Sequence, residues 1–424
     1  MIRRRWVIAS LLFMATLLNY LDRQVLALVS PVLRVHFSLS ATQYARLLNA
    51  FLLGYTVMQV LAGWFVDRLG ARKGLILAMI WWSLAGAAAA ATRNPLELAI
   101  CLCLMGAGEA ANWPTAVKAI REWFPPASRA IGVGFFNAGS SAGAVLAPLI
   151  VTALTLHFSW RIAFLFCGSL GLLWILPWRS AYSQPPFDAE TPEAPSSRDL
   201  SFLLDTRAWG IILARFFGDS IWYFYIFWLP DYLNHVLSLS LASIGAVAWI
   251  PFLAAGLGNF AGGGASGGLV HRRCGVVRSR LIVMGGSALV MATGAGIRWI
   301  HTESLAITAI SLVVFAYSAW AANVLTLPSD IFPASQVATV TGAAGTIAGV
   351  GGMLTMWLTG RVVDNYSYGP IFVALGCLPL FAFGCSLLAG YNGGRRSGPD
   401  QHLLGVQEVT SDARSLHGHQ GILR

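Results

Sequence analysis

The chain has 424 residues, 56% of them hydrophobic and 11% charged, with a mean hydropathy of +0.66, whereas soluble domains carry roughly 25% charged residues. This excludes an ordinary soluble enzyme, because apolar runs of about 20 residues recur along the whole length and only lipid hides so many of them. The net charge of +10 does not point to nucleic acid, since the cations sit between the apolar runs instead of clustering on one face.

In chain order, a window of about 19 residues predicts helices near 6–30, 47–66, 74–92, 96–117, 130–153, 161–180, 208–233, 240–264, 281–300, 304–328, 337–360 and 367–391. Each run is too long for a barrel strand and lacks strict alternation. The fold class is therefore an all-α membrane protein with twelve transmembrane helices. The opening Arg3-Arg4-Arg5 followed by Trp6 to Leu18 could pass for a signal peptide, but no small-residue cleavage site follows and Asn19-Tyr20-Leu21-Asp22-Arg23 interrupts it. Arg68, Arg72, Lys73, Lys118, Arg121, Arg129, Arg272, Arg273, Arg278 and Arg280 fall in loops on the side of the N-terminus, and far fewer cations fall opposite. The positive-inside bias puts both termini in the cytoplasm.

The stretch 181–206, with Pro185-Pro186, Pro192 and Pro195, has linker composition. It divides the chain into two six-helix halves, 1–180 and 207–391, followed by a Gly- and polar-rich tail over 392–424 that reads as disordered. The six cysteines lie in or beside apolar segments without a CxxC pair, and His417-Gly418-His419 reads as incidental, so neither a metal nor a cofactor is expected. An internal repeat supports the division. Gly63-Trp-Phe-Val-Asp67-Arg68-Leu-Gly70-Ala-Arg72-Lys73-Gly74 has a counterpart some 200 residues on, Gly264-Ala-Ser266-Gly267-Gly268-Leu-Val-His271-Arg272-Arg273-Cys-Gly275, and repeated halves mark transporters.

The first of these loops fits G-x-x-x-D-R-x-G-x-R-[KR], and on it the chain resembles the major facilitator superfamily. Further pieces resemble the anion:cation symporters, and among them the hexuronate and sugar-acid proton symporters: Asn19-Tyr20-Leu-Asp22-Arg23, Gly106-Ala-Gly108-Glu109-Ala110 with Pro114, Phe136-Asn137-Ala-Gly139, Trp222-Tyr223-Phe224-Tyr225-Ile-Phe-Trp228-Leu-Pro230, and Asn323 before Asp330-Ile-Phe332-Pro333. The resemblance implies the major facilitator fold and proton-driven import of an organic acid, a hexuronate such as galacturonate or glucuronate, by alternating access in a bacterial inner membrane. Two positions depart from the pattern: Leu102 stands where relatives often have arginine, and Gly267 where many have aspartate.

Charges at hydrocarbon depth cost about 2.5–3.5 kcal/mol each on insertion scales, so Asp22, Arg23, Glu109, Arg215 and Asp219 each need a partner, a wet cavity or a proton. Arg23 is the candidate for the substrate carboxylate, because a guanidinium stays charged and forks onto a planar anion. Asp22 and Glu109 are the candidate proton carriers. A structural ion pair at Asp22-Arg23 and a helix-packing role for Glu109 are the alternatives. Arg215 and Asp219, spaced i, i+4, are expected to satisfy each other. Tyr20, Tyr55, Gln59, Asn137 and Asn323 offer hydrogen bonds to sugar hydroxyls, with interhelical bonding the competing role for Gln59, Asn112 and Asn137. Trp222 and Tyr223 could stack on a sugar ring, while Trp228 reads as part of an interfacial belt. Gly63, Asp67, Arg68, Gly70 and Arg72 form the expected gate.

The expected partners are a small organic anion, a proton and the lipid bilayer, with no nucleic acid, and the chain is expected to act as a monomer. Another organic anion, such as an aldonate, an aromatic acid or a dicarboxylic acid, is the alternative cargo. A sugar-acid sensor that binds without flux is a further alternative. A membrane enzyme is disfavoured by the lack of HExxH, P-loop and nucleophile-elbow motifs.

Overall fold

A computed structural model describes residues 2–125, 128–183 and 204–391, with the backbone alone described at a few helical positions that include Gly63 and Asp67. Most of the expected linker 181–206 and all of the tail 392–424 lie outside the described residues. The helices in order are α1 (Ile2–Leu28), α2 (Ser30–His36), α3 (Ala41–Ala89), α4 (Pro95–Glu109), α5 (Asn112–Trp123), α6 (Arg129–His157), α7 (Trp160–Ala181), α8 (Thr206–His235), α9 (Leu241–Val247), α10 (Trp249–His271), α11 (Val276–Ala292), α12 (Glu303–Val324), α13 (Leu327–Ile331), α14 (Ala334–Asn365) and α15 (Gly369–Tyr391). A 3₁₀ turn, Thr293–Trp299, extends α11.

Four of the spans read from the sequence are broken helices, and each break has the same cause. Pro31, Pro114, Pro251 and Pro328 sit in the first turn of α2, α5, α10 and α13. A proline lacks the N–H that would bond four residues back, and its ring pushes that carbonyl away. The preceding helices accordingly stop at Leu28, Glu109, Val247 and Val324. The third proline stands one residue before the cavity-lining Phe252, the fourth follows the lining stretch that ends at Leu325, and the second leaves Glu109 at a helix end.

The helix α3 runs 49 residues, about 74 Å at 1.5 Å per residue, enough to cross a bilayer twice. Gly70 divides it with φ 73 and ψ 163, inside an otherwise helical stretch. Only glycine takes that left-handed φ without strain. Two further crossings therefore lie on either side of Gly70, and the 32-residue α14 supplies another. Nine other segments are long and apolar enough to cross a membrane among the described residues. Lipid accounts for the exposed apolar side chains, such as Leu173, Leu176 and Phe260 at 62%, 68% and 77% exposure.

Within the first group, α1 packs on α6 and α7, and α3 packs on α4 and α7; within the second, α8 packs on α14 and α15, and α12 on α10 and α11. Close approach of α3 to α4 depends on Gly54 and Gly106, where a Cβ would run into the carbonyls of Cys103 and Phe51 respectively. The groups meet where α3 lies against α14, α6 against α9 and α10, and α1 against α8. The repeat is visible in backbone detail. Ser38 and Ser238, 200 residues apart, both take positive φ, and Ser40 and Ser240 both cap the next helix through their hydroxyls.

The two ends of the bundle differ. At the end away from the chain termini the groups are tied together. Arg34 on α2 donates through Nη1 to both oxygens of the fully buried Asp231 on α8, at 2.9 and 2.7 Å. Tyr368 donates to the same carboxylate. Asp364 at the end of α14 accepts from the backbone N–H groups of Ala41 and Thr42 at 2.7 and 2.8 Å, capping the positive end of α3. Tyr44 donates to the Phe227 carbonyl and packs edge-on against Trp228. Trp228 is 0% exposed and points its indole N–H at the Met356 sulfur. It is part of this seam and not of the interfacial belt expected from the sequence, because its neighbours come from both groups of helices.

Candidate functional site

Between the two groups lies a cavity of about 1060 Å³, reaching from mid-bundle towards the end where α8 and α14 begin. Of the eight residues expected to meet substrate, seven line it: Tyr20, Arg23, Tyr55, Gln59, Asn137, Trp222 and Tyr223. The eighth, Asn323, does not. It is fully buried at the end of α12, where its amide donates to the carbonyls of Gly262 and Ala319 at 3.2 and 2.8 Å and its oxygen faces Arg280. Those bonds tie α12 to α10 and, with its full burial, keep the side chain out of the cavity wall, so the sequence expectation is corrected here.

Arg23 is held in the wall from several sides. Its Nε and Nη2 both donate to one oxygen of Glu109, at 3.3 and 3.0 Å. Its guanidinium also sits 4.6, 5.2 and 5.4 Å from the ring centres of Tyr55, Tyr20 and Phe51, a cage of aromatic faces that favours a cation. Glu109 is 0% exposed and its second oxygen has no hydrogen-bond partner among the described residues. A buried carboxylate with one idle oxygen is an incomplete ion pair, open to a proton or a water.

Asp22 does not reach the cavity. One residue before Arg23 on α1, it points into the interior of the first group, 3% exposed and within Coulombic range of Glu109 and Cys167. Asn112 likewise turns inward, donating to Thr16 at 3.3 Å, the interhelical role that competed with ligand binding. The Trp82 indole is directed at the Asp22 carboxyl, while the Asn19 amide and the Ser83 hydroxyl lack hydrogen-bond partners among the described residues. The interior behind Arg23 is therefore polar and has room in its hydrogen-bonding for water.

The opposite wall carries a second charge pair. Arg215 on α8 donates through Nε and Nη2 to Oδ2 of Asp219 at 3.0 and 2.7 Å, as the i, i+4 spacing led us to expect. Tyr317 donates to Oδ1 at 3.0 Å, and its ring stacks on Trp222 with centroids 5.3 Å apart and planes within 8°. Sequence reasoning missed Tyr317, Asn259 and Trp113 as lining residues and undervalued Arg215. For Asn259 the repeat held the signal. At the 200-residue offset set by Ser38 and Ser238, Arg23 matches Tyr223, Tyr55 matches Ala255 and Gln59 matches Asn259, and all six line the cavity.

The expected gate lies at the cavity's mouth end. Gly70 makes the turn, Arg72 donates to the Arg179 carbonyl at 2.8 Å, and Arg68 is exposed. The side chain of Asp67 and the surroundings of Gly63 lie outside the described residues. In the second group, Arg280 on α11 joins the counterpart segment at the end of α10 to α13 by donating to Ser266 at 2.9 Å and Asp330 at 3.2 Å.

The pattern of the Major Facilitator Superfamily matches residues 12–356. A hexuronate transporter of Escherichia coli (strain K12) is 32% identical over 399 residues, covering 89% of this chain and 91% of that protein. A galacturonate transporter of Dickeya chrysanthemi is 34% identical over 278 residues, 61% of this chain and 80% of its own. Among solved structures, a D-xylose-proton symporter shares the fold with a TM-score of 0.74 at 17% identity, covering 90% of this chain and 97% of that one. An integral membrane protein of multiple spans, related to sugar-acid transporters, this chain belongs to the major facilitator superfamily, a family of transporters and not of enzymes.

Proposed function

We propose that the chain is a proton-coupled importer of a sugar acid, a hexuronate such as galacturonate or glucuronate, working by alternating access in a bacterial inner membrane with both termini in the cytoplasm. The observation that carries this reading is Arg23 in the cavity wall, paired with the fully buried Glu109 behind it. A proton reaching Glu109 cancels its charge and frees the Arg23 guanidinium for a substrate carboxylate, which takes over the fork. Proton and anion then load together, and the internal pair returns only once both have left. Asp22 has no contact with the cavity, so its part in coupling runs through Glu109.

In this scheme the halves 1–180 and 207–391 rock about the linker 181–206, and the structure's tied end faces outward. The Arg34–Asp231 pair and the Asp364 cap break as the outer end opens, while Gly63, Asp67, Arg68, Gly70 and Arg72 close the inner end. The names of the relatives support a hexuronate cargo. A different organic anion is the second reading, favoured by Leu102, which is 0% exposed and supplies no cation where relatives often have one.

The test is uptake of labelled galacturonate, glucuronate and galactonate into proteoliposomes with and without an inward proton gradient. Gradient-dependent accumulation of a hexuronate is the expected result. Binding without flux would instead mark a sensor.

A further inference from the structure

Arg215 is only partly spent on Asp219. Nε and Nη2 grip one carboxylate oxygen and Tyr317 holds the other, while Nη1 has no protein hydrogen-bond partner among the described residues. Arg23 repeats the arrangement from the other group of helices: Nε and Nη2 on one Glu109 oxygen, and Nη1 again without a protein partner among the described residues. Both arginines line the same cavity, and Tyr223 is within Coulombic range of both. The wall beside Arg215 is Gly345. A Cβ there would stand 3.5 Å from Nη1 and 3.8 Å from the Gln59 amide, so the glycine leaves the idle end of the guanidinium open to the cavity.

We propose that Arg215 is a second anion-recognition residue, so that the chain binds sugar acids with a carboxylate at each end more tightly than the matching acids with one. The inference rests on the sugar-acid reading above. A ligand lying across the cavity puts its first carboxylate on Arg23 and its far end on Arg215 Nη1. In a hexuronate that far end is a neutral hemiacetal. In the acid oxidised at both ends it is a carboxylate, and a hydrogen bond from guanidinium to an ionised acceptor is roughly twice as strong as one to a neutral oxygen. Asp219 stays where it is, because Tyr317 clamps it independently of the arginine. The substrate class is thus the six-carbon sugar diacids, with the hexuronates as weaker ligands of the same site.

The experiment is titration of purified wild-type protein and of R215Q/D219N with galacturonate and galactarate, which share a carbon chain and differ at one end. The double variant removes both charges of the pair at nearly constant shape, so that no unpaired ion is left buried. In the wild type galactarate should bind at least about ten-fold tighter than galacturonate, and in the double variant that ratio should fall to near one. If the double variant does not fold, R215K serves. Its single ammonium goes to Asp219 and its ratio should drop likewise. Galactarate binding no tighter than galacturonate to the wild type, or a ratio that survives the substitutions, overturns the proposal. Failure of the folded wild type to bind either acid overturns the sugar-acid reading itself, and this inference with it.

Discussion

The cavity's two charge pairs are alike in chemistry and opposite in construction. Arg23 and Glu109 are 86 positions apart, join two helices, and leave one carboxylate oxygen idle in a fully buried setting. Arg215 and Asp219 are one turn apart on a single helix, and Tyr317 occupies the second oxygen. Local spacing builds the second pair whatever the rest of the fold does, so it can stay intact through a rearrangement. The first exists only while α1 and α4 keep their approach, and its idle oxygen leaves a place for a proton. On the proposed mechanism one pair is exchanged and the other is kept.

Breaking the exchangeable pair tests that contrast most severely. Arg23→Ala removes the proposed ligand of the substrate carboxylate and strands Glu109 in the interior, and breaking a buried pair in this way costs about 3–5 kcal/mol. Galacturonate affinity should fall more than about a hundred-fold, and wild-type affinity in a titration would remove Arg23 from the site. Glu109→Gln keeps an acceptor for the guanidinium but cannot take a proton. Exchange of labelled for unlabelled substrate across the membrane should persist while gradient-driven accumulation drops by at least about ten-fold. Undiminished accumulation would take Glu109 out of the coupling.

At the tied end the comparison extends to a third pair. Asp231→Asn leaves Arg34 facing a neutral amide, and among the described residues the Asp364 cap, the Tyr44–Phe227 bond and the Tyr44–Trp228 contact still join the groups there. The population should shift towards an open outer end by about three- to ten-fold. A cysteine at Leu48, fully buried on the Tyr44 face of α3, would report it. A membrane-impermeant thiol reagent should label L48C faster by that factor when Asp231 is changed, and equal rates would mean that the seam is held without the ion pair.

The spans were legible because hydropathy over about 19 residues is a property of composition alone. Arg215–Asp219 was legible because i, i+4 partners share a helix face by geometry. Arg23–Glu109 could be read as two isolated buried charges but not as a pair, since nothing local encodes which helices approach. Asn323 was misjudged for a related reason. A polar residue in an apolar span must find a partner, and sequence does not say whether a ligand or a neighbouring carbonyl supplies it. The helix breaks were written in the prolines at 31, 114, 251 and 328. A hydropathy window passes over them because proline changes the backbone and not the mean.

The smallest change tests whether the kept pair is indeed kept. Tyr317→Phe deletes one hydroxyl, leaving the ring stacked on Trp222 and both Arg215 bonds on Asp219 Oδ2 in place. What goes is the hold on Oδ1, a buried hydrogen bond to a charged acceptor. Such a bond contributes about 1.5–3 kcal/mol when intact, of which water entering from the cavity recovers a part. Substrate affinity should therefore weaken by only about three- to ten-fold, through a less rigid Asp219 and hence a less fixed Arg215. A loss as large as that of Arg23→Ala would mean that Tyr317 touches the substrate directly. No loss at all in the same titration would mean that the arginine fork alone fixes Asp219, and that the opposite wall is as free to exchange as the first.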